Sequence, residues 1–245
     1  MGERLSLIVP VFNEAMNAKL LLQNLSTSGV LQHVDEIVLV DDGSLDETWQ
    51  ICTSLAEIDS RVRAIRHKEN MGLGAALRTG VLNSLSPTVS WVPADGQIDL
   101  CDFAQILEGY QRSEIWLLLR YGRVEHGRNT VSQIAHSFLW ILFGVNLRNQ
   151  CGVFILPRNV FIASLPLTSR AISCLELSIR LQKQFSAVNF AAVHCLPRIS
   201  GQSKTFSVRS IFRSIRELIG LVLIEPRLLR RHTQTVSISE IRPAD

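Results

Sequence analysis

Carboxylate and amide side chains follow three short, strand-like runs of this chain. The pairs are Asn13 and Glu14 after residues 5–9, Asp41 and Asp42 after 36–40, and Asp95 and Gln97 after 89–92. Ligands of open α/β sheets bind in the crevice outside the carboxyl ends of the parallel strands. Because the same placement recurs three times, the pattern favours a nucleotide-binding enzyme whose site follows one edge of a sheet.

Each of these segments also has a purely structural interpretation. The residues 41–44, Asp-Asp-Gly-Ser, suit a tight turn. Ser44, with Glu47 three residues later, fits a capping box at the start of the next helix. A turn and a helix cap are therefore the alternative for this segment taken alone, and the recurrence of the pattern argues against it.

Strands and helices alternate over the first hundred residues. The patterns predict strands at 5–9, 36–40, 62–67 and 89–92, and helices at 15–25, 47–58 and 73–85. This alternation predicts an α/β fold with a mostly parallel central sheet flanked by helices. Further helices are predicted at 103–109, 130–143 and 171–184, and further strands at 115–119, 153–156 and 190–195.

The chain is predicted to hold one domain and a short extension. Its 245 residues suffice for one α/β domain with a full core, which we expect over residues 1–205. Residues 206–231 are predicted to form an amphipathic, basic helical extension, and residues 232–245 a flexible polar tail.

Charge and cysteine content restrict the partners and the compartment. Most charges after Arg198 are arginines, which indicates an anionic partner for that part of the chain. Nucleic acid is not expected, because aromatic residues do not interleave with the basic ones. The five cysteines include no Cys-x-x-Cys pair, as is typical of reduced thiols in the cytoplasm. With no signal segment, and with an apolar run at 138–145 too short to span a bilayer, we expect a cytoplasmic protein.

Small residues open the helix that is predicted after the third strand. Gly72 and Gly74 would let a ligand approach the backbone, and free N–H groups at a helix start favour phosphate. Tight packing of the helix on the sheet explains these glycines equally well. Leu77 stands where a dinucleotide fingerprint has its third glycine, which argues against a nicotinamide-dependent oxidoreductase.

Four motifs in this order resemble family 2 glycosyltransferases of the GT-A fold. They are residues 7–14, 40–44, 70–80 and 94–97. Residues 150–152, Glu176 and residues 198–204 narrow the resemblance to the dolichyl- or polyprenyl-phosphate sugar transferases, such as the dolichol-phosphate mannose synthases. The resemblance covers residues 5 to about 205. It implies an inverting enzyme that moves a sugar from a GDP- or UDP-linked donor to a polyprenyl or dolichyl phosphate at the cytosolic face of a membrane.

The same resemblance implies roles for individual residues. The implied donor-binding residues are Pro10, Phe12, Glu14, Asp41, Asp42, Asn70, Gly72, Asp95, Arg198, Ser203 and Lys204. Asp95 and Gln97 would hold Mg²⁺ or Mn²⁺, and Arg198, Ser203 and Lys204 would form a basic flap over the donor diphosphate. The implied catalytic residues are Asp95 together with Arg120, Arg128 and Ser132, which fall where relatives grip the acceptor phosphate.

Two positions depart from the family pattern, and one expected base is missing. Pro93 replaces the first Asp of the usual Asp-x-Asp, and Arg148 stands where relatives often have Asp. Relatives that deprotonate a hydroxyl acceptor often have an Asp after the Glu near position 176, but here Leu177 follows Glu176. A phosphate monoester is already anionic at neutral pH, so the missing base favours a lipid phosphate as direct nucleophile.

The basic extension combines an apolar stripe with arginines. The stripe is Val208, Ile211, Phe212, Ile215, Leu218, Ile219 and Val222, and the arginines are Arg209, Arg213, Arg216, Arg227, Arg230 and Arg231. Such a helix can lie on an anionic membrane surface, or its apolar face can pack on the domain. Two alternative functions also stay open, namely transfer to a saccharide hydroxyl and binding of a nucleotide sugar without turnover.

Overall fold

The computed structural model describes residues 4–111, 113–121, 139–145, 147, 149–165, 172–196 and 208–229. The strands are β1 (Leu5–Val11), β2 (Val34–Asp41), β3 (Val62–Arg66), β4 (Thr88–Trp91), β5 (Trp116–Tyr121), β6 (Gln150–Pro157) and β7 (Asn189–His194). The helices are α1 (Ala15–Thr27), α2 (Thr48–Ile58), α3 (Leu73–Leu82), α4 (Leu100–Gly109), α5 (Arg158–Ala163), α6 (Ser173–Gln184) and α7 (Val208–Ile224). Short 3₁₀ turns occupy Val30–His33 and Pro226–Leu229.

The seven strands form one sheet in the order β3-β2-β1-β4-β6-β5-β7. Strand β6 runs antiparallel to both of its neighbours, β4 and β5, and every other neighbouring pair is parallel. Helices flank the sheet, so the prediction of an α/β fold with a mostly parallel central sheet is confirmed.

The middle of β2 is apolar and buried on both faces of the sheet. Residues 37–40 have no exposed surface, as expected for a continuous apolar run between two layers of helices. The register pairs Val11 with Asp41, so β1 and β2 end side by side. Their polar continuations therefore lie next to each other at the carboxyl edge of the sheet.

Most element boundaries agree with the sequence prediction to within a few residues. Strand β6 is longer than the predicted 153–156, because it begins at Gln150. Helix α3 ends at Leu82 rather than at residue 85, since the backbone N–H of Leu85 instead donates to the Glu36 carboxylate. Of the helix predicted at 130–143, residues 139–143 are helical and the others lie outside the described residues.

Helix α7 packs against α6 through a second, smaller core. Leu221 and Leu228 are buried there with Ile179 of α6 and Phe143. Arg180, a residue that is 3% exposed, links α6 to the residue that follows α7, because its guanidinium contacts Glu176 at 2.8 Å and Glu225 at 2.6 Å. Packing of one face of α7 on the domain is thus observed, while the division at residue 205 and the tail 232–245 stay predictions. Within the described ranges, no helix has both the length and the apolar character to cross a bilayer.

Candidate functional site

Reciprocal hydrogen bonds hold the ends of β1 and β2 together. The backbone N–H of Asn13 donates to Ser44 Oγ at 2.9 Å, and the Asn13 side-chain oxygen accepts from the N–H of Leu45 at 2.9 Å. The alternative interpretation of Ser44 as part of a capping box is not observed, because its hydroxyl accepts from the β1 exit and α2 begins only at Thr48. Helix α2 begins at Thr48, whose N–H is accepted by Asp46 Oδ1 at 3.0 Å.

The buried carboxylate of Asp41 stabilises the turn at residues 41–44. One oxygen accepts from the N–H of Ser44 at 3.0 Å, and Oδ2 lies 3.1 Å from Nε of Arg66. Arg66 also donates to the carbonyl of Ser44 at 3.0 Å and stacks over the Trp49 ring at 5.6 Å. Burial raises the pKa of the neighbouring Cys52 thiol to about 12, and the charges of Asp41 and Asp46 add to the effect.

Asp42 fastens the start of α3 to the end of β2. Its two carboxylate oxygens accept the backbone N–H groups of Met71 at 2.9 Å and Gly72 at 2.8 Å. His67 joins the same carboxylate through Nδ1 at 2.7 Å, and its Nε2 meets Thr79 Oγ1 at 2.9 Å. Asp42 therefore holds the segment that carries Asn70 and Gly72 in place. The residue itself is buried, with 4% of its surface exposed. The sequence analysis did not identify His67 as a residue of this site. The only signal for it is its position at the end of the predicted strand 62–67.

Two glycines of the motifs are required by close approach of other chain segments. Gly43 has φ +75°, and a Cβ there would lie 2.6 Å from the carbonyl carbon of Glu69. A Cβ at Gly80 would overlap the side chain of Ile8 on β1. Gly80 thus serves the packing of α3 on the sheet, whereas Gly43 lets the 67–72 segment close over the β2 exit.

The loop after β4 presents Asp95 and Gln97 at the same edge. Asp95 is 8% exposed, and its Oδ1 accepts the N–H of Gln97 at 3.1 Å. Over the described part of the chain, no three His, Cys, Asp or Glu side chains form a ready cation cage. One carboxylate with one amide nevertheless fits Mg²⁺ or Mn²⁺, because such ions complete their coordination with substrate phosphates and water. The residues present therefore fit a cation that binds together with a diphosphate.

Arg120 occupies the carboxyl end of β5, on the far side of this loop. Its guanidinium is exposed and donates one bond, to the carbonyl of Gln150 at 3.1 Å. The Trp91 indole donates to the carbonyl of Gly152 at 2.9 Å, which fixes the start of β6 beside the end of β4. The position of Arg120 suits recognition of a phosphate, which arginine can bind through two parallel hydrogen bonds.

Glu176 lies in the first turn of α6. It has no exposed surface, and one of its oxygens accepts two bonds from Arg180, at 3.1 and 2.8 Å. The structure therefore gives Glu176 a packing role between α6 and α7.

The structure brings most of the predicted site residues to one edge of the sheet. Those at the exits of β1, β2, β3 and β4 are Pro10, Phe12, Glu14, Asp41, Asp42, Asn70, Gly72, Asp95 and Gln97, and Arg120 follows at the end of β5. Six residues lie outside the described ranges, namely Arg128, Ser132, Arg148, Arg198, Ser203 and Lys204. The common location is as expected, and the binding roles stay predictions.

Comparison with known proteins agrees with this architecture. The family model described as glycosyl transferase family 2 matches residues 6–156. The dolichyl-phosphate beta-glucosyltransferase of Dictyostelium discoideum is 34% identical over 110 residues, which cover 42% of this chain and 34% of that protein. The enzyme of the same name from Mus musculus is 26% identical over 180 residues, which cover 64% and 56%. The chain thus matches only about a third to about half of the length of these relatives.

Solved structures share the fold at low sequence identity. The glucosyl-3-phosphoglycerate synthase of Mycobacterium tuberculosis, crystallised with Mn²⁺, UDP and glucosyl-3-phosphoglycerate, has a TM-score of 0.68 at 17% identity. The similarity covers 96% of this chain and 88% of that one. The expected GT-A fold is confirmed, and the family match over residues 6–156 shows that this chain belongs to glycosyl transferase family 2.

Proposed function

We propose that this chain transfers a sugar from a nucleoside-diphosphate sugar to the phosphate of a polyprenyl or dolichyl lipid. The observation that carries the proposal is the edge at which the exits of β1, β2 and β4 meet, where Asn13 is hydrogen-bonded to Ser44 and Asp42 holds the 71–72 backbone. The Asp95 loop and Arg120 lie at the same edge, and we assign the binding crevice to it because ligands of open α/β sheets bind there. Family membership supports a glycosyl donor for that crevice.

The donor diphosphate is assigned to the space beside the Asp95 loop. Asp95 and Gln97 would hold a divalent cation there, and the bound cation would neutralise charge on the departing nucleoside diphosphate. Asp95 is fixed for this role because it is nearly buried and bonded to the Gln97 backbone. The arginine and lysine of the predicted flap, Arg198 and Lys204, add positive charge for the same leaving group.

A phosphate acceptor agrees with the state of Glu176. Glu176 pairs with Arg180, and Leu177 stands where relatives that deprotonate a hydroxyl acceptor often have an Asp, whereas a phosphate monoester needs no such base. Direct attack of the phosphate oxygen on the anomeric carbon forms the new C–O bond as the bond to the nucleoside diphosphate breaks, with inversion. The names of the dolichyl-phosphate relatives support the same acceptor class.

Helix α7 provides a means of reaching a lipid acceptor at the cytosolic face of a membrane. Its outward side exposes the apolar residues Phe212, Ile215, Ile219, Leu223 and Ile224. Arg213, Arg216 and Arg227 are also exposed in the same part of the chain. On an anionic surface each arginine near the headgroups contributes about 1 kcal/mol, which makes binding sensitive to salt.

One assay series tests the function. A thermal-shift screen of nucleotide sugars with and without Mg²⁺ or Mn²⁺ identifies the donor, and the selected donor is then offered a polyprenyl phosphate and simple glycosides together. We expect metal-dependent transfer to the lipid phosphate alone. Transfer to the glycosides would favour the saccharide acceptor, and donor binding without transfer to either would favour a binding protein.

Membrane association has its own test with the full chain. We expect sedimentation with anionic vesicles, less with neutral ones, and release as salt rises. The double substitution Ile219→Ser with Leu223→Ser should reduce sedimentation, whereas Ile58→Ser at the end of α2, which is 78% exposed, serves as the matched control. Equal sedimentation of all three proteins would contradict docking through α7.

A further inference from the structure

The helical residues 139–143 are apolar on every side. Their sequence is Leu-Trp-Ile-Leu-Phe. Leu139 and Phe143 are buried in the second core, whereas Trp140 is 61% exposed and Ile141 is 58% exposed. The outward face of a surface helix is normally polar, and a large exposed apolar patch marks an interaction site. The outward side of residues 139–143 therefore indicates a partner.

The position of Trp140 is fixed by the end of its helix. Gly144 has φ +68°, and its backbone N–H donates to the carbonyl of Trp140 at 2.7 Å. A left-handed glycine that returns a hydrogen bond to the last turn is a common way to end a helix. On the inner side Phe143 has no exposed surface. The exposed indole is thus carried by a defined and anchored helical turn.

The charges of the neighbouring helix α7 are sorted by sign. Over the described side chains of 212–229, the exposed charged residues are arginines, namely Arg213, Arg216 and Arg227. The two acids of this range face the domain instead. Glu217 accepts the backbone N–H of Ile172 at 3.3 Å, and Glu225 pairs with Arg180 at 2.6 Å. The outward charge is therefore positive, which suits an anionic surface and opposes contact with the same face of a second copy.

Both apolar surfaces are tied to the edge of the sheet that carries Arg120. Residues 139–143 and α7 share the second core, in which Phe143 and Leu221 are buried. From Gly144 the chain reaches Asn149 in five residues, a span of at most about 18 Å. The carbonyl of Asn149 accepts the backbone N–H of Arg120 at 2.6 Å. A surface that binds residues 139–143 would therefore be held close to the carboxyl end of β5.

We propose that residues 139–143 form a second membrane contact beside α7, with Trp140 and Ile141 in the headgroup region of an anionic bilayer. The inference rests on the membrane part of the proposed function. Tryptophan suits this depth, because its ring is apolar while its N–H can meet polar headgroups. A single helix on the surface leaves the domain free to turn about the helix axis. Two contacts fix the orientation of the edge that carries Arg120 relative to the bilayer.

The four tryptophans of the chain give a direct readout, because Trp140 is the most exposed of them. Trp91 and Trp116 are buried, and Trp49 is half-buried under Arg66. The full chain is mixed with vesicles of equal parts phosphatidylcholine and phosphatidylglycerol, whose acyl chains carry bromine either near the headgroups or near the bilayer centre. We expect the shallow bromine to quench the fluorescence more strongly than the deep one. Trp140→Phe should lose this quenching, and Trp49→Phe should keep it.

Removal of the apolar pair tests its contribution to binding. Trp140→Ser with Ile141→Ser should lower partition onto the same vesicles by about 10-fold or more, because two large apolar side chains no longer leave water. The matched control is Leu85→Ser. Leu85 is 80% exposed, and its backbone N–H donates to the Glu36 carboxylate at the opposite, amino end of the sheet. This control should leave the partition unchanged.

Two outcomes would overturn the second contact alone. One is sedimentation of the wild-type chain with the vesicles without bromine quenching of Trp140. The other is a shift of the Trp140 emission that depends on protein concentration without vesicles, which would show that a second copy covers the residue. The quenching of the wild-type chain decides even where a variant does not fold. If the wild-type chain does not sediment at all, the membrane part of the proposed function fails as well.

Discussion

The two ends of β2 carry similar charges but differ in what surrounds them. Glu36 near its amino end is 8% exposed, and Asp41 at its carboxyl end is fully buried. Each pairs with an arginine of β3, Glu36 with Arg63 at 3.0 Å and Asp41 with Arg66 at 3.1 Å. Both guanidinium side chains are 43% exposed, so the two ion pairs are closely matched.

The difference lies in the other bonds that each carboxylate receives. Glu36 accepts from Ser6 Oγ at 2.5 Å and from the backbone N–H of Leu85, which closes the amino end of the sheet. Over the described residues, no hydrogen bond of good geometry reaches Asp41 Oδ2. A buried ion pair therefore does not identify a site by itself. The end of the strand at which it lies is the better guide, because ligands of open α/β sheets bind at the carboxyl ends of the strands.

The largest effect is expected at the carboxyl edge, from Asp95→Asn. Loss of the charge that would hold the cation should lower kcat/KM for the donor by about 100-fold or more, in the range found when one stabilising group is removed. The free energy of unfolding should change little. Steady-state kinetics and urea denaturation measure the two quantities, and unchanged turnover would remove the metal assignment of Asp95.

The second prediction concerns the amino end. Glu36→Ala leaves the Ser6 hydroxyl, the Leu85 N–H and Arg63 without their common acceptor, which should cost about 2–4 kcal/mol of unfolding free energy. The Michaelis constant for the donor should stay the same in the folded fraction. A rise in that constant without loss of stability would show that the two ends are coupled, and the comparison would fail.

Substitution of Arg63 and of Arg66 tests the same difference between the two ends of β2, with a smaller loss of stability. Arg66→Met should weaken donor binding about 3- to 10-fold, because the Ser44 carbonyl and Asp41 lose a partner beside the crevice. Arg63→Met should lower stability and leave donor affinity unchanged. Isothermal titration with the selected nucleoside diphosphate gives both values, and equal affinities for the two variants would contradict the prediction.

The smallest expected effect is on the reactivity of the Cys52 thiol, which lies near Asp41. Burial, with the charges of Asp41 and Asp46, raises the pKa of Cys52 to about 12. The thiol is therefore neutral at pH 8 and should resist iodoacetamide, whereas the exposed Cys101 should react. Since the pKa of Cys52 in the folded protein lies above the ordinary thiol value of 9.0, the stabilising contribution of its burial is complete below pH 9 and decreases as the pH rises towards 12. Peptide mapping after labelling checks the first point, and rapid modification of Cys52 would contradict it.

Local patterns predicted the framework of this fold well. Apolar runs such as 37–40 and the acids after them identified the strands and the edge that they share. The contacts that arrange the edge could not be found in this way. His67 meets Asp42, and Tyr121 meets Asp102, only because distant segments fold together. The contact of Ser44 is of the same kind, since its hydroxyl accepts from the backbone of Asn13, which lies far earlier in the chain.

The strand order also has a consequence for how the protein is assembled during synthesis. Strands β1 to β4 pair among themselves, so residues 5–91 can form a four-stranded unit before the rest of the chain has been made. Strand β5 has no partner until β6 and β7 follow, and its pairing joins Trp116 with Asn189. Because such distant pairings form slowly, we expect the β1–β4 unit to mature first and the part that carries β5, β6 and β7 to be completed around it.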